Sequence, residues 1–75
     1  MTTTYLNSFH KPDAKGAYGP PSFTVDVSPE EYRGYQIFHR QMQVWDIVKD
    51  GVCIGMYAGP NGARGRVDLL LASAA

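Results

Sequence analysis

Asp50-Gly51 is the most constraining dipeptide in this chain. It sits between two β-rich runs, Gln-Val-Trp-Asp-Ile-Val-Lys (residues 43–49) and Val-Cys-Ile-Gly-Met-Tyr (residues 52–57). Asp-Gly tolerates the two positive φ angles of a tight type I′ turn, so the stretch predicts a β-hairpin with a two-residue loop. The register then follows. Lys49 faces Val52, Val48 faces Cys53, Ile47 faces Ile54, Asp46 faces Gly55, Trp45 faces Met56 and Val44 faces Tyr57. Alternation places Trp45, Ile47, Val52, Ile54 and Met56 on one face, the better candidate for a core, and Val44, Asp46, Val48, Cys53, Gly55 and Tyr57 on the other.

With 75 residues the chain has room for one domain whose core is thin, about one sheet layer against one helix. Seven basic and seven acidic residues give a net charge of zero. That excludes a protein that grips long nucleic acid by charge alone, and equally an acidic nucleic-acid mimic. The single cysteine, Cys53, rules out an intramolecular disulfide and fits a reducing compartment. No apolar run nears the ~20 residues that cross a bilayer, and the N-terminus has no basic region or apolar signal core. A cytoplasmic protein is the expectation.

Along the chain, residues 1–22 read as an irregular arm, because Pro12, Gly16, Gly19, Pro20 and Pro21 interrupt any regular element. Tyr5, Leu6, Phe9 and Tyr18 are spaced through it. They either dock on the sheet to supplement a thin core or order against a partner. Residues 23–75 form the domain proper. Ser22 to Val27 alternates weakly and predicts a short edge strand. Ser28-Pro29-Glu30-Glu31 has a helix-start composition, which predicts one helical turn at 29–32. A strand follows from about Gly34 to His39, with Arg40 to Met42 turning into the hairpin. After the Gly-Pro-Asn-Gly loop, Ala63, Val67, Leu70, Leu71 and Ala74 fall on one helical face, and Pro60 suits a first helical position. The expected fold is α+β: a three- or four-stranded antiparallel β-meander with a C-terminal α-helix across one face. Trp45, Ile47, Ile54 and Met56 would meet Ala63, Val67, Leu70 and Leu71.

Signals for chemistry are poor. His10, His39 and Cys53 have no metal-ligand spacing, so neither a metal nor a cofactor is expected. Cys53 has no neighbouring base and reads as a structural thiol. Glu30 and Glu31 are explained by the helix start rather than as a catalytic pair. Residues 59–66 are glycine-rich and lead into a helix, yet lack the lysine and hydroxyl of a phosphate loop. An enzyme is not expected. A binding surface is, since tyrosine and arginine are favoured at contacts. The densest cluster runs from Tyr32 to Arg40. Tyr35, Phe38, His39, Arg40, Arg64 and Arg66 are the candidate partner-binding residues.

Two resemblances bear on what that surface does. Tyr32-Arg33-Gly34, Trp45-Asp46-Ile47, Asp50-Gly51, Gly55-Met56-Tyr57 and residues 63–68 together resemble the ethylene-response-factor type of DNA-binding domain, over somewhat more than half the chain. That resemblance implies three strands followed by a helix, with Arg33, His39, Arg40 and Trp45 as candidates to read a major groove. The chain departs from the pattern where glutamines stand at expected basic positions. In size and layout it is also similar to small phage- or prophage-encoded accessory proteins, which include anti-CRISPR inhibitors. This second likeness implies stoichiometric, steric blockade of a host protein or nucleoprotein complex. A DNA-binding domain using its sheet face, and a structural or homodimerising particle component, are the alternatives.

Overall fold

In the computed structural model, which describes residues 2–12 and 19–74, six strands and one helix follow one another. They are β1 (Thr3–Asn7), β2 (Ser22–Val25), β3 (Glu30–Tyr32), β4 (Tyr35–Gln41), β5 (Val44–Lys49), β6 (Val52–Tyr57) and α1 (Pro60–Ala74). The strands form a single sheet in the order β2-β1-β6-β5-β4-β3. Every pairing is antiparallel except β1 with β6, which is parallel. The sheet is therefore mixed and larger than the meander expected from sequence.

The central hairpin forms where the dipeptide signal puts it. Asp50 and Gly51 both take positive φ, 53° and 78°, the I′ geometry whose twist matches the flanking strands. Arg33-Gly34 repeats it at 53° and 89°. This second tight turn overrides the helix-start composition upstream: Glu30–Tyr32 is a strand paired with β4, not a helical turn. Three residues after Pro29 could form at most one unsupported helical turn, whereas pairing with β4 satisfies their backbone at once.

The stretch expected to be an irregular arm also contains a strand. Thr3-Thr4-Tyr5 is β-branched and aromatic, and Tyr5 is 2% exposed. Burial of such a side chain contributes about 2–3 kcal/mol, which offsets part of the cost of ordering the segment. β1 joins β6 through Leu6 N–H to Gly51 O (2.8 Å) and Ser8 N–H to Cys53 O (3.3 Å). The buried Asn7 holds the loop ends together: its side-chain amide donates to Pro20 O at 2.8 Å, and its carbonyl oxygen accepts from Phe9 N–H at 3.0 Å. Phe9 itself is 40% exposed. Tyr18 lies outside the described residues.

The sheet is curled. β2 and β3 are its two edges, yet only residues 26–29 connect them. Five Cα–Cα steps reach at most about 19 Å, and six flat strands would hold those edges about 24 Å apart. The inside of the curl contains Tyr5, Phe23, Val25, Phe38, Val48 and Cys53, with Met56 against them. Tyr5 and Phe38 stand three strands apart in the sheet but their rings are 5.0 Å apart.

On the outside, α1 packs on β4, β5 and β6. Ala63 and Val67 are fully buried against Ile37 and Ile47, with Tyr32, Tyr35, Trp45, Tyr57 and Leu71 around them. Pro60 does begin the helix. The first turn carries no acid and the last no base, so the helix depends on packing and on two cross-links to the β3–β4 hairpin. Arg64 donates to both Glu30 oxygens at 2.6 Å. Arg33 and the Tyr32 hydroxyl both donate to Asp68, at 2.7 and 2.9 Å. No helix among the described residues is long and apolar enough to cross a membrane.

The expected register holds for Lys49–Val52 and Val48–Cys53 and then slips. Ile47 pairs with Gly55, Asp46 with Met56 and Trp45 with Tyr57. Ile54 is a bulged extra residue. The slip corrects the expected faces: Trp45 and Ile47 do meet α1, but Met56 turns to the inside, Ile54 is 38% exposed, and Tyr57 takes the place beside Trp45. The reason lies at Gly55. A Cβ there would stand 2.9 Å from the Tyr57 ring and 3.6 Å from Ile47 Cδ1, so the bulge puts the residue without a side chain where the ring needs the space. Gly55→Ala is expected to destabilise the fold by about 1–3 kcal/mol, read as a lowered urea midpoint at unchanged slope. An unchanged midpoint would show that the bulge does not depend on this contact.

Candidate functional site

The outermost feature of the β4–β5 hairpin is its tip, Gln41-Met42-Gln43, three exposed residues without charge. Met42 is 85% exposed. Behind it, His39 and Trp45 are register partners, stacked with ring centroids 4.0 Å apart and planes within 3°. His39 Nε2 donates to the Met42 carbonyl at 3.2 Å, bracing the turn. A projecting thioether on a braced aromatic base is suited to enter an apolar pocket, because little side-chain freedom beyond that of Met42 itself is left to lose.

Beneath the tip, β4 bulges between His39 and Gln41, so that Arg40 has no register partner. Its guanidinium turns inward. Nε donates to Asp46 Oδ2 at 2.5 Å, Nη2 lies 3.7 Å from Met56 Sδ, and the group stacks 3.9 Å over the Phe23 ring. Asp46 is fully buried and also accepts from the Tyr5 hydroxyl at 2.5 Å. Burial first, and then this bond to Asp46, keep the Tyr5 hydroxyl protonated well above the ordinary tyrosine range. Burial likewise pushes the Cys53 thiol up to about 11, with Asp46 adding to the effect. Cys53 donates weakly to Gly55 O at 3.4 Å and is a structural group, the opposite of an activated nucleophile.

The six residues expected to contact a partner do not form one surface. Phe38 is 1% exposed and belongs to the interior, because strand alternation sends it to the same side as Arg40; this corrects its assignment as a contact. Arg40, whose side chain is 14% exposed, is spent on Asp46. Tyr35 is half-buried under α1, with Lys49 Nζ 5.1 Å above its ring. Arg64 is held by Glu30 and also donates to Asn61 Oδ1 at 2.8 Å. His39 and Arg66 are exposed, and His39 alone belongs to the tip. Met42 and the His39–Trp45 stack were not legible as a unit, since Met42 carries no motif. The available signal was its position as the apolar member of a predicted turn.

The residues that a DNA reader would use are also placed. Arg33 is bound to Asp68 and Arg40 to Asp46, while Trp45 lies on the α1 side, stacked on His39. The inner face of the sheet, which could have been an open surface, is filled by Tyr5 and Phe23. Among the described residues no three of His, Cys, Asp or Glu are grouped to hold a metal. His10 Nδ1 lies against the Gly19 carbonyl at 2.9 Å. No protein-family model, no curated protein and no solved structure matches this chain.

The interior network sets a pH dependence. In the unfolded chain the Cys53 and Tyr5 groups lose their protons near pH 8.5 and 10, by their ordinary values (about these figures). In the folded chain both pKa values are raised, so each group's contribution is whole below its unfolded value and is lost as pH rises from there toward the folded value, first for Cys53 and then, above about pH 10, for Tyr5. The slope reaches about 1.4 kcal/mol per pH unit for each group. Tyr5→Phe is expected to lower stability at pH 7 by about 1–3 kcal/mol, through loss of a donor to a buried carboxylate, and to decline more gently at alkaline pH. Urea unfolding across a pH series measures both. Parallel curves for the two proteins would remove Tyr5 from this role.

Proposed function

We propose that this chain is a non-enzymatic protein-binding module that docks through the tip of the β4–β5 hairpin. One observation carries the reading: Met42, the most exposed of the large apolar side chains among the described residues, stands on a turn braced by the stacked His39–Trp45 pair. Such a convex, uncharged tip fits an apolar pocket on a folded partner, where a few buried anchors carry most of the binding energy. The absence of an enzyme motif in the sequence, and the use of both histidines on main-chain carbonyls, support binding rather than catalysis. The likeness in size and layout to phage-encoded inhibitors supplies the kind of target: a host defence nucleoprotein complex, blocked sterically in the cytoplasm.

A sheet-face DNA binder receives less support. Arg33, Arg40 and Arg64 each have their charge matched by an acid within the chain, which leaves little to release counterions from a duplex.

The test uses the chain's single tryptophan, which lies behind the tip in the stack with His39. Immobilised protein captures a partner from host lysate; the partner is then purified and titrated against wild-type and Met42→Glu protein, with Trp45 emission as one readout. The substitution is expected to weaken binding at least about ten-fold, or about 1.4 kcal/mol, without changing the far-ultraviolet circular dichroism. Equal affinity for both proteins would dismiss the tip. Duplex-DNA binding that falls steeply with salt would favour the rival.

A further inference from the structure

Three sulfur atoms lie among the described residues, in Met42, Cys53 and Met56. The fold treats them differently. Cys53 is fully buried, and burial keeps its thiol protonated, whereas the reactive form is the thiolate. Met56 is partly buried against the inner cluster, and its sulfur accepts from Arg40 Nη2 at 3.7 Å. A lone pair of Met56 is thus shared with a cation, which makes it a poorer nucleophile. Met42 stands in solvent at the tip of the β4–β5 hairpin, 85% exposed. A reagent that attacks sulfur therefore meets one open thioether, and it is the side chain on which the tip depends.

We propose that Met42 is a reversible oxidation site, at which a peroxide switches off docking by the hairpin tip; this rests on the reading of the tip as the contact. A sulfur lone pair attacks one oxygen of hydrogen peroxide. The S–O bond forms as the O–O bond breaks, and the departing hydroxide takes the proton from the transferred oxygen and leaves as water. Sulfur loses two electrons and the peroxide gains them. The product, a sulfoxide, is polar where the thioether was apolar. In an apolar pocket its oxygen would give up water without gaining a donor, which is costly. The brace behind the tip is spared. His39 donates to the main-chain carbonyl of Met42, not to its side chain, and the His39–Trp45 stack does not involve the sulfur. Oxidation thus changes the chemistry of the tip and leaves its shape. Methionine sulfoxide reductases return such sulfoxides to thioethers, which makes the change reversible.

The test treats the free, folded protein with hydrogen peroxide, removes the reagent, and digests with trypsin, which cuts after lysine and arginine. Residues 41–49 then carry Met42 on one peptide, and residues 50–64 carry Cys53 and Met56 on another. The result expected is that the first peptide gains one oxygen atom at least about ten-fold faster than the second, with the far-ultraviolet circular dichroism unchanged. Oxidised protein should bind the partner captured through the tip at least about ten-fold more weakly, and the pair of methionine sulfoxide reductases, one for each sulfur epimer, should restore binding. Met42→Leu, whatever its own affinity, should show no response to peroxide. The inference is overturned by equal oxidation of the two peptides, or by oxidation at Met42 that leaves unchanged the affinity for a partner that Met42→Glu weakens. A partner bound equally by wild-type and Met42→Glu protein would instead strike the docking reading and the switch with it, while the peptide map would still decide whether Met42 is the oxidation site.

Discussion

The buried carboxylate of Asp46 is the constraint around which the rest is built. A bare charge at zero exposure would be prohibitive in an apolar interior. It is tolerated here because Arg40 and Tyr5 both donate to it. Those two donors come from β4 and β1, on either side of β5 and β6 in the sheet. The network therefore requires the sheet to curl and requires the N-terminal strand to be present. Removal of one partner from such a pair costs more than the pair contributes, because the survivor is left buried and unmatched. The curl, the tie to β1 and the closed inner face are thus parts of one arrangement.

The same arrangement decides what remains available for recognition. Arg40 and Phe38 face inward with Asp46, Arg33 and Arg64 hold α1 to the β3–β4 hairpin, and the outward candidates that remain are mostly uncharged. Met42 with its His39–Trp45 base is the foremost of them. A chain of zero net charge whose arginines are largely matched internally does not recruit partners from a distance by its field. Its selectivity has to come from shape and from apolar contact at close range.

Two β-bulges account for the change of facing along β6 and for the turn of Arg40 at the end of β4. The bulge at Ile54 moves Met56 to the opposite face and brings Tyr57 beside Trp45, and the one at Arg40 follows the His39–Trp45 pair. A period-two reading cannot see either, because one inserted residue inverts every later assignment on the strand. Gly55 was the available hint, a glycine inside a strand. Gly34 was a second hint, hidden by the helix-like Pro29-Glu30-Glu31 before it, while Arg33 has no preference of its own for the positive φ that it takes.

Local sequence determined the Asp50-Gly51 hairpin and the stretch from Pro60 that forms the helix, since each rests on backbone preference and apolar spacing within about fifteen residues. The buried face of α1, Ala63 and Val67, follows from the same spacing. Tertiary structure alone decided that Thr3–Asn7 is a strand, that it pairs parallel with β6, and that the inner face of the sheet is closed. Tyr5 and Asp46 are 41 residues apart in the chain, and no local preference encodes a hydrogen bond across that separation. It forms because the interior accepts a carboxylate there only when both of its donors arrive.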